Sequence, residues 1–289
     1  MQAEYRTNNP RFAILIPSWN NLSYLKLCIQ SIRNYSSYAH EILVHVNEGK
    51  DGTMEWLKQQ SDISISFSEQ NIGVCHALNE LRKMAQSPYL LYMNDDMVAC
   101  PEWDRFLWEE VQRIGHNAFF LSATAIEPVP QSNCAIAGDF GRTIETFQES
   151  ACMKQFQDFD KDDWNGSTWT PNLVHADYWD KVGGYSEAFS PGFYSDPDFS
   201  MKLWQQGVRL FKGVSKSRVY HFARVSTKKV TAGNPGYVTF IKKWGMSAGT
   251  FTRYYLRRGT TFTGPLPEPD LSFWIRLKNR YKRFVFSFR

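Results

Sequence analysis

Apolar and polar positions fall in alternating blocks along the first third of the chain. Phe12 to Ile16 forms a short apolar run that reads as a strand and is closed by Pro17. Asn20 or Asn21 then suits the cap of a helix carrying Leu22, Leu25, Leu27, Ile29 and Ile32. Glu41 to Val46 reads as a second strand ending in NEGKDGT, Met54 to Lys58 as a short helix, and Ile63 to Phe67 alternates as a third strand. After Asn71, a helical stretch from Val74 to Ala85 leads into a fourth apolar run, Tyr89 to Met93. This order predicts an α/β fold: a mostly parallel central sheet, right-handed crossovers, and helices on both faces.

The pattern weakens from Ala118 to about Asn172. Phe119 to Thr124 suits one more strand, while QSNCAIAGDFGRTIETFQ and DFDKDDWNGSTW read as loops or short hairpins. Long irregular segments in compact enzymes are often binding loops, so choice of substrate is expected here. Asp158, Asp160, Asp162 and Asp163 are spaced loosely like a calcium loop but lack its Gly and terminal Glu, which leaves a solvated acidic loop. Further on, Phe199 to Gln206 predicts an amphipathic helix with Phe199, Leu203 and Trp204 inward, and Asp196 and Asp198 just before it. Arg209 to Phe211 and Arg218 to Phe222 read as two strands, the second containing His221.

Composition narrows the class. With 289 residues the chain is long enough for a substantial core. A net charge of +4 gives no nucleic-acid footprint. The five cysteines, Cys28, Cys75, Cys100, Cys134 and Cys152, form no CxxC pair, which argues against a disulfide framework or thiolate zinc and for a reducing, cytoplasmic setting. No apolar run has the length of a signal peptide or a membrane span.

Candidate chemistry gathers at strand ends. If the sheet is parallel, Ser18 to Asn21, Asn47 to Gly52 and Asn94 to Asp96 meet on one edge, where open α/β sheets bind ligands. Adjacent acids such as Asp95 and Asp96 are common in turns and caps, but at that edge they suit a hard cation. Asp198 is explained as a helix cap; Asp196, beside Pro197, Phe193 and Tyr194, suits a functional role as well as a structural one. His221 is either a core histidine with one hydrogen bond or a ligand.

Taken together, ILIPSWNNLSYLKLCIQSI, VNEGKDGT, QNIGVCHALN, MNDDM and the later GGYSEAF with SDPDFSMKLW resemble the inverting family 2 nucleotide-sugar glycosyltransferases of the GT-A fold. The last two segments resemble the family's GGFDE and EDxDLxxR, and MNDDM its DxD motif. The chain departs at Glu48, which stands for an Asp in a turn one residue shorter, at Asn94 for a frequent Asp, at Leu78 for a frequent Arg, and at Ser195 for a Glu.

The resemblance implies a single GT-A unit over residues 1–225, its nucleotide half about 11–100 and its acceptor half about 101–225, followed by a helical extension over 226–289. It implies a UDP, GDP or dTDP sugar as donor, a glycan or lipid-linked acceptor in cell-surface polysaccharide synthesis, and Mn²⁺ or Mg²⁺ as cofactor. Pro17, Ser18, Trp19, Glu48, Asn71, Gly73 and Asp95 would bind the nucleotide. Asp96 and His221 would bind the metal, the nitrogen ligand favouring Mn²⁺. Asp196 would be the catalytic base. For the acceptor, Asp139, Arg142, Trp164 and Trp169 are candidates, since sugars are held by polar groups and aromatic faces. A nucleotidyltransferase is a competing class, but IPSWNN is not a Gly-rich phosphate loop. A non-catalytic glycan-binding scaffold is the other alternative.

The C-terminal SFWIRLKNRYKRFVFSFR interleaves aromatics with Arg276, Lys278, Arg280, Lys282, Arg283 and Arg289, with no acid after Asp270. It suits a helix lying on an anionic bilayer, which would place the protein peripherally on the inner face of the cell membrane. It equally suits a terminal helix that docks its aromatics on the catalytic unit and leaves its cations in water.

Overall fold

The computed structural model describes residues 10–130, 132–222 and 236–287, and a ten-stranded mixed sheet runs through its centre. The first half follows the expected alternation: β1 (Ala13–Trp19), α1 (Leu22–Tyr35), β2 (Glu41–Asn47), α2 (Thr53–Leu57), β3 (Ile63–Ser68), α3 (Gly73–Met84) and β4 (Tyr89–Tyr92). Then come β5 (Met97–Ala99), α4 (Trp103–Ile114), β6 (Phe119–Glu127), β7 (Ile136–Ala137), α5 (Glu149–Gln155), β8 (Trp164–Asn165) and β9 (Asn172–His175). The remainder is α6 (Ala176–Lys181), α7 (Ser195–Gln205), β10 (Leu210–His221), α8 (Gly236–Trp244), α9 (Ala248–Thr250) running into a π-helical turn Phe251–Tyr255, and α10 (Phe273–Ser287).

Spatial order is β3-β2-β1-β4-β9-β6-β10-β5, with β7 on β6 and β8 on β10. The first four strands are parallel; β9 enters antiparallel between β4 and β6, and β5 closes the far edge antiparallel to β10. Six of the eight strands on this path share one direction, so the GT-A-type, mostly parallel sheet stands.

Four local expectations are corrected. The two late strands are one, β10, with a register shift between Val214 and Arg218. Ser215, Lys216 and Ser217 form the irregular part: the Ser215 amide donates to Asp163 Oδ1 at 2.8 Å, and the Arg218 guanidinium donates to the carbonyls of Ser215, Phe156 and Phe159. Asp163, read as part of a solvated loop, also pairs with Lys212 at 2.7 Å. The start of α1 is closed by Asp51, whose Oδ2 accepts the Leu22 amide at 2.7 Å, while the Asn21 side chain makes no cap bond. Helix α7 starts at Ser195, so Asp196 and Asp198 lie inside its first turn, where Pro197 is tolerated because first-turn amides have no intrahelical partner.

Two cores flank the sheet. One packs Leu25, Ile29 and Leu107 of α1 and α4 against one face. The other joins Leu78 and Leu81 of α3 and Phe199 and Leu203 of α7 to Phe240, Phe251, Leu256 and Leu266. The segment beyond residue 236 therefore shares the core of the sheet, and each of its fully buried rings contributes on the order of 2 kcal/mol. In α10 the orientation is the reverse of a docked aromatic face. Asn279 is buried and accepts the Thr250 hydroxyl at 3.1 Å, while Phe273, Trp274, Leu277, Tyr281 and Phe284 are exposed. Among the described residues no helix is long and apolar enough to cross a membrane.

Asp198 is a tie between elements, where the sequence suggested a helix cap. It is fully buried; Oδ2 accepts the Ser186 hydroxyl at 2.6 Å, Oδ1 accepts the Trp244 indole at 2.7 Å, and Lys243 Nζ lies 2.8 Å from Oδ1. Asp198→Ala removes the partner of all three, and breaking a buried ion pair costs on the order of 3 kcal/mol. Guanidinium unfolding is expected to show that loss as a lowered midpoint, with Ser186→Ala costing about 1 kcal/mol.

Candidate active site

The parallel strands deliver their polar ends to one cavity of about 650 Å³. Its walls come from Pro17, Ser18 and Trp19 at the end of β1, Asn47 at the end of β2, Asn71 and Gly73 at the start of α3, and Asn94, Asp95 and Asp96 after β4. Opposite them stand Asp196 of α7, His221 at the end of β10, Trp164 and Trp169 of the loop around β8, and Thr252 and Arg258 from the C-terminal segment.

On the side of the strand ends the turns are fixed by hydrogen bonds between them. The Ser18 hydroxyl donates to Asp95 Oδ2 at 2.7 Å, tying β1 to the turn after β4. Asn47 Oδ1 accepts the Ile72 amide at 2.9 Å, and Asn71 Oδ1 accepts the Gly73 amide at 2.9 Å, which set the entry of α3. Gly73 has φ +79°, and a Cβ there would stand 2.8 Å from the Pro191 backbone, so this close approach requires glycine.

Asp96 is 2% exposed, and its Oδ1 has no hydrogen-bond partner. His221 Nε2 faces that oxygen at 3.4 Å, and His221 Nδ1 meets Glu127 Oε1 at 2.8 Å. Burial disfavours charge on His221, but Asp96 and Glu127 outweigh it and hold the imidazole up to about 10. An imidazole bonded to a carboxylate on its far nitrogen is the arrangement that orients histidine metal ligands. The unbonded Asp96 oxygen and His221 Nε2 fit a hard cation that would take the place of the imidazole proton. Among the described residues no three His, Cys, Asp or Glu side chains are arranged to hold an ion by themselves. Glu127 addresses the other ring nitrogen, so this pair fits a cation whose remaining ligands come from a bound phosphate or water.

Asp196 lies in the cavity wall, partly open to it. Burial pushes its carboxyl up to about 7, opposed by the Tyr185 hydroxyl, which donates to Oδ1 at 3.3 Å. Tyr185 is held in turn by a stacked Phe199 ring, with centroids 4.5 Å apart, and by paired backbone bonds to the Asn79 amide, each 2.9 Å. Gly184 explains the Gly-Gly turn, because its φ is +63° and a Cβ would meet Asn79 Oδ1 at 2.4 Å. Tyr194, before α7, takes a left-handed φ of 69°, a costly conformation for a tyrosine, directly beside the acid pair.

On the other side, Trp164 is a wall, buried with its indole donating to the Thr124 hydroxyl at 2.9 Å. Trp169 is exposed, and the Arg258 guanidinium sits 5.0 Å from its ring centroid.

Three sequence candidates do not line this cavity. Asp139 and Arg142 pair with each other at 3.1 Å on an exposed loop. Glu48 sits in a left-handed turn, accepts from Asn20 at 3.1 Å and lies 3.3 Å from Lys50. Lys50 first, then Trp19 and Asn20, hold its carboxyl below the ordinary range. The cavity also contains residues that sequence reasoning missed. Glu127 ends a strand and was within reach of the strand-end rule; Thr252 and Arg258 carried no signal.

Residues 13–133 match the family model described as glycosyl transferase family 2. No curated protein matches the sequence. In structure the chain is similar to S. aureus TarS 1-349 in complex with UDP, at 11% identity and a TM-score of 0.59, over 96% of this chain and 70% of that one. A second structure of S. aureus TarS 1-349 gives 11% identity, a TM-score of 0.58 and coverage of 96% and 72%. GalNAc-T7 with UDP, GalNAc and Mn²⁺ is similar at 14% identity and a TM-score of 0.60, over 96% of this chain and 55% of that one. At such identities the structural likeness is one of fold. Over residues 13–133 the chain is thus similar to the glycosyl transferases of family 2, and as a whole it has the GT-A fold.

Proposed function

We propose that the chain transfers a sugar, with inversion, from a nucleoside-diphosphate donor to a hydroxyl of a glycan or lipid-linked acceptor in the building of cell-surface polysaccharide. The observation that carries this reading is the sharing of one cavity by the Asp96–His221 pair, the nucleotide-side turns and Asp196. Among UDP, GDP and dTDP donors, UDP ranks first because TarS and GalNAc-T7 were solved with it.

In this reading Pro17, Ser18, Trp19, Asn71 and Gly73 hold the base and ribose, with Asp95 accepting a ribose hydroxyl and Ser18 keeping it in place. Asp96 and His221 hold Mn²⁺ or Mg²⁺, with the imidazole favouring Mn²⁺. When bound, the ion offsets the charge that grows on the departing diphosphate. Asp196 takes the proton of the acceptor hydroxyl on the face of the sugar opposite the diphosphate, and the Tyr185 hydroxyl fixes which carboxyl oxygen is presented. A carboxyl near 7 suits a base working at neutral pH. Trp169 offers an aromatic face for an acceptor sugar, and Arg258 beside it offers a cation for an anionic substituent.

Asp196→Asn is expected to lower transfer by about 10²–10⁴-fold while leaving nucleotide binding intact. Full transfer in that variant would remove Asp196 as the base. For the wild type, kcat/KM rises as Asp196 loses its proton through about pH 7. Stability moves the opposite way. The folded carboxyl is raised above its ordinary 3.8, so its contribution is full below pH 4 and is lost as pH rises through 7. Asp196→Asn should therefore exceed wild-type stability at pH 8, by on the order of 4 kcal/mol, with no gain at pH 3.5.

A thermal-shift panel of UDP, GDP, CDP and dTDP, each with and without Mn²⁺, tests the donor site. One nucleotide is expected to raise the melting temperature in a metal-dependent way, because a ligand of the native state stabilises it. Asp96→Ala should abolish the metal-dependent part. No shift with any nucleotide would speak for the non-catalytic scaffold. Arg258→Ala should raise the acceptor KM about tenfold with kcat little changed, the mark of lost ground-state binding.

A further inference from the structure

We infer that the outward face of α10 is a docking surface for an anionic lipid bilayer. Phe273, Trp274, Leu277, Tyr281 and Phe284 are 45–74% exposed. At about 100° per residue they share an arc of roughly 100° on one side of the helix. Arg276 and Arg280 border this arc on one edge and Lys278 on the other, all three exposed. The helix itself contains no acid, and Asp270, shortly before it, is 3.3 Å from Arg276.

The opposite face holds the helix to the protein. Asn279 is bonded to Thr250, the Phe286 ring meets Tyr237 with centroids 5.7 Å apart, and Lys282 lies 5.6 Å from the Tyr237 centroid. A helix meant only to close the core would turn its rings inward and leave an amide outside. Here the amide is inside with Phe286, while the rings of Phe273, Trp274, Tyr281 and Phe284 are outside, so the sequence spends most of its aromatics on an external medium.

That medium has to accept indole and phenol rings and also balance cations on both edges of the stripe. A bilayer interface does both, because Trp and Tyr rings settle at headgroup depth while Arg and Lys meet anionic headgroups. A second copy of the chain does not, since two α10 faces would bring their Arg and Lys borders together. The helix is tied to Thr250 and Tyr237 and does not meet the length and apolarity of a span, so the contact is peripheral. This surface is independent of the donor site, and its test uses no nucleotide.

The full chain would be sedimented with vesicles of phosphatidylcholine alone and of phosphatidylcholine mixed with phosphatidylglycerol. Binding is expected to the mixed vesicles, at least about tenfold over the neutral ones, and to weaken with added salt. Trp274→Ser with Tyr281→Ser, and separately Arg276→Gln with Arg280→Gln, should each reduce the bound fraction about tenfold, at an unchanged far-ultraviolet spectrum and unchanged melting temperature. Absence of binding to the mixed vesicles would overturn the inference, as would full binding in the aromatic double variant. So would a self-association that the same double variant dissolves in the absence of lipid.

Discussion

A carboxylate sealed from water has to be answered by positive charge, and Asp96 is sealed almost completely. Much of the second half of the chain serves that requirement. Asp96 directly precedes β5, Glu127 ends β6 and His221 ends β10; the register pairs His221 with Met97 and Tyr220 with Ile126, which brings the three groups to one level. The irregularity after Val214 sets this phase. A strand that lost one residue there would turn His221 to the other face of the sheet and leave Asp96 facing an apolar side chain. The Asp163 and Arg218 bonds around Ser215 therefore belong to the site as much as the cavity wall does.

The first turn of α7 shows how one short segment separates two carboxylates. Asp198 points to Ser186, Lys243 and Trp244 and is spent on joining α7 to α8. Asp196, two residues earlier, meets the Tyr185 hydroxyl and the cavity, and burial keeps its proton affinity high. Similar local sequence thus gives one acid spent on structure and one facing the cavity, because the helix turns them to opposite surroundings. The aromatic stack of Tyr185 on Phe199 carries that difference, since it fixes the one hydroxyl that reaches Asp196.

The sequence made the first four strands legible because they are short, apolar and parallel, and their ends had to meet. Periodicity alone carried β1 to β4, and the order of motifs carried Asp95, Asp96 and Asp196. It failed where long-range pairing outweighs local pattern. β9 shows nothing in its four residues to say that it runs against its neighbours, and the polar Ser215 to Ser217 step looked like a break between two strands when it is an irregularity within one. Glu48 sits at a turn that the motif placed beside the base, yet its left-handed backbone and its contacts with Asn20 and Lys50 take it off the cavity wall. Arg258 was out of reach because it arrives from a segment that packs back across the core through Phe251 and Leu256, a contact that no spacing rule encodes.

The C-terminal helix presents the same limit in another form. Its interleaved rings and cations fit two opposite dockings equally well, because helical spacing defines faces without saying which one meets the protein. One polar residue decides between them. With Asn279 turned inward to Thr250, the ring-bearing arc is committed to the outside, with Arg276, Lys278 and Arg280 along its borders. An amide buried against a hydroxyl is worth little as packing, but it fixes the rotation of the helix about its axis. In this fold that rotation determines whether the aromatics of the tail add to the core or form a surface of their own.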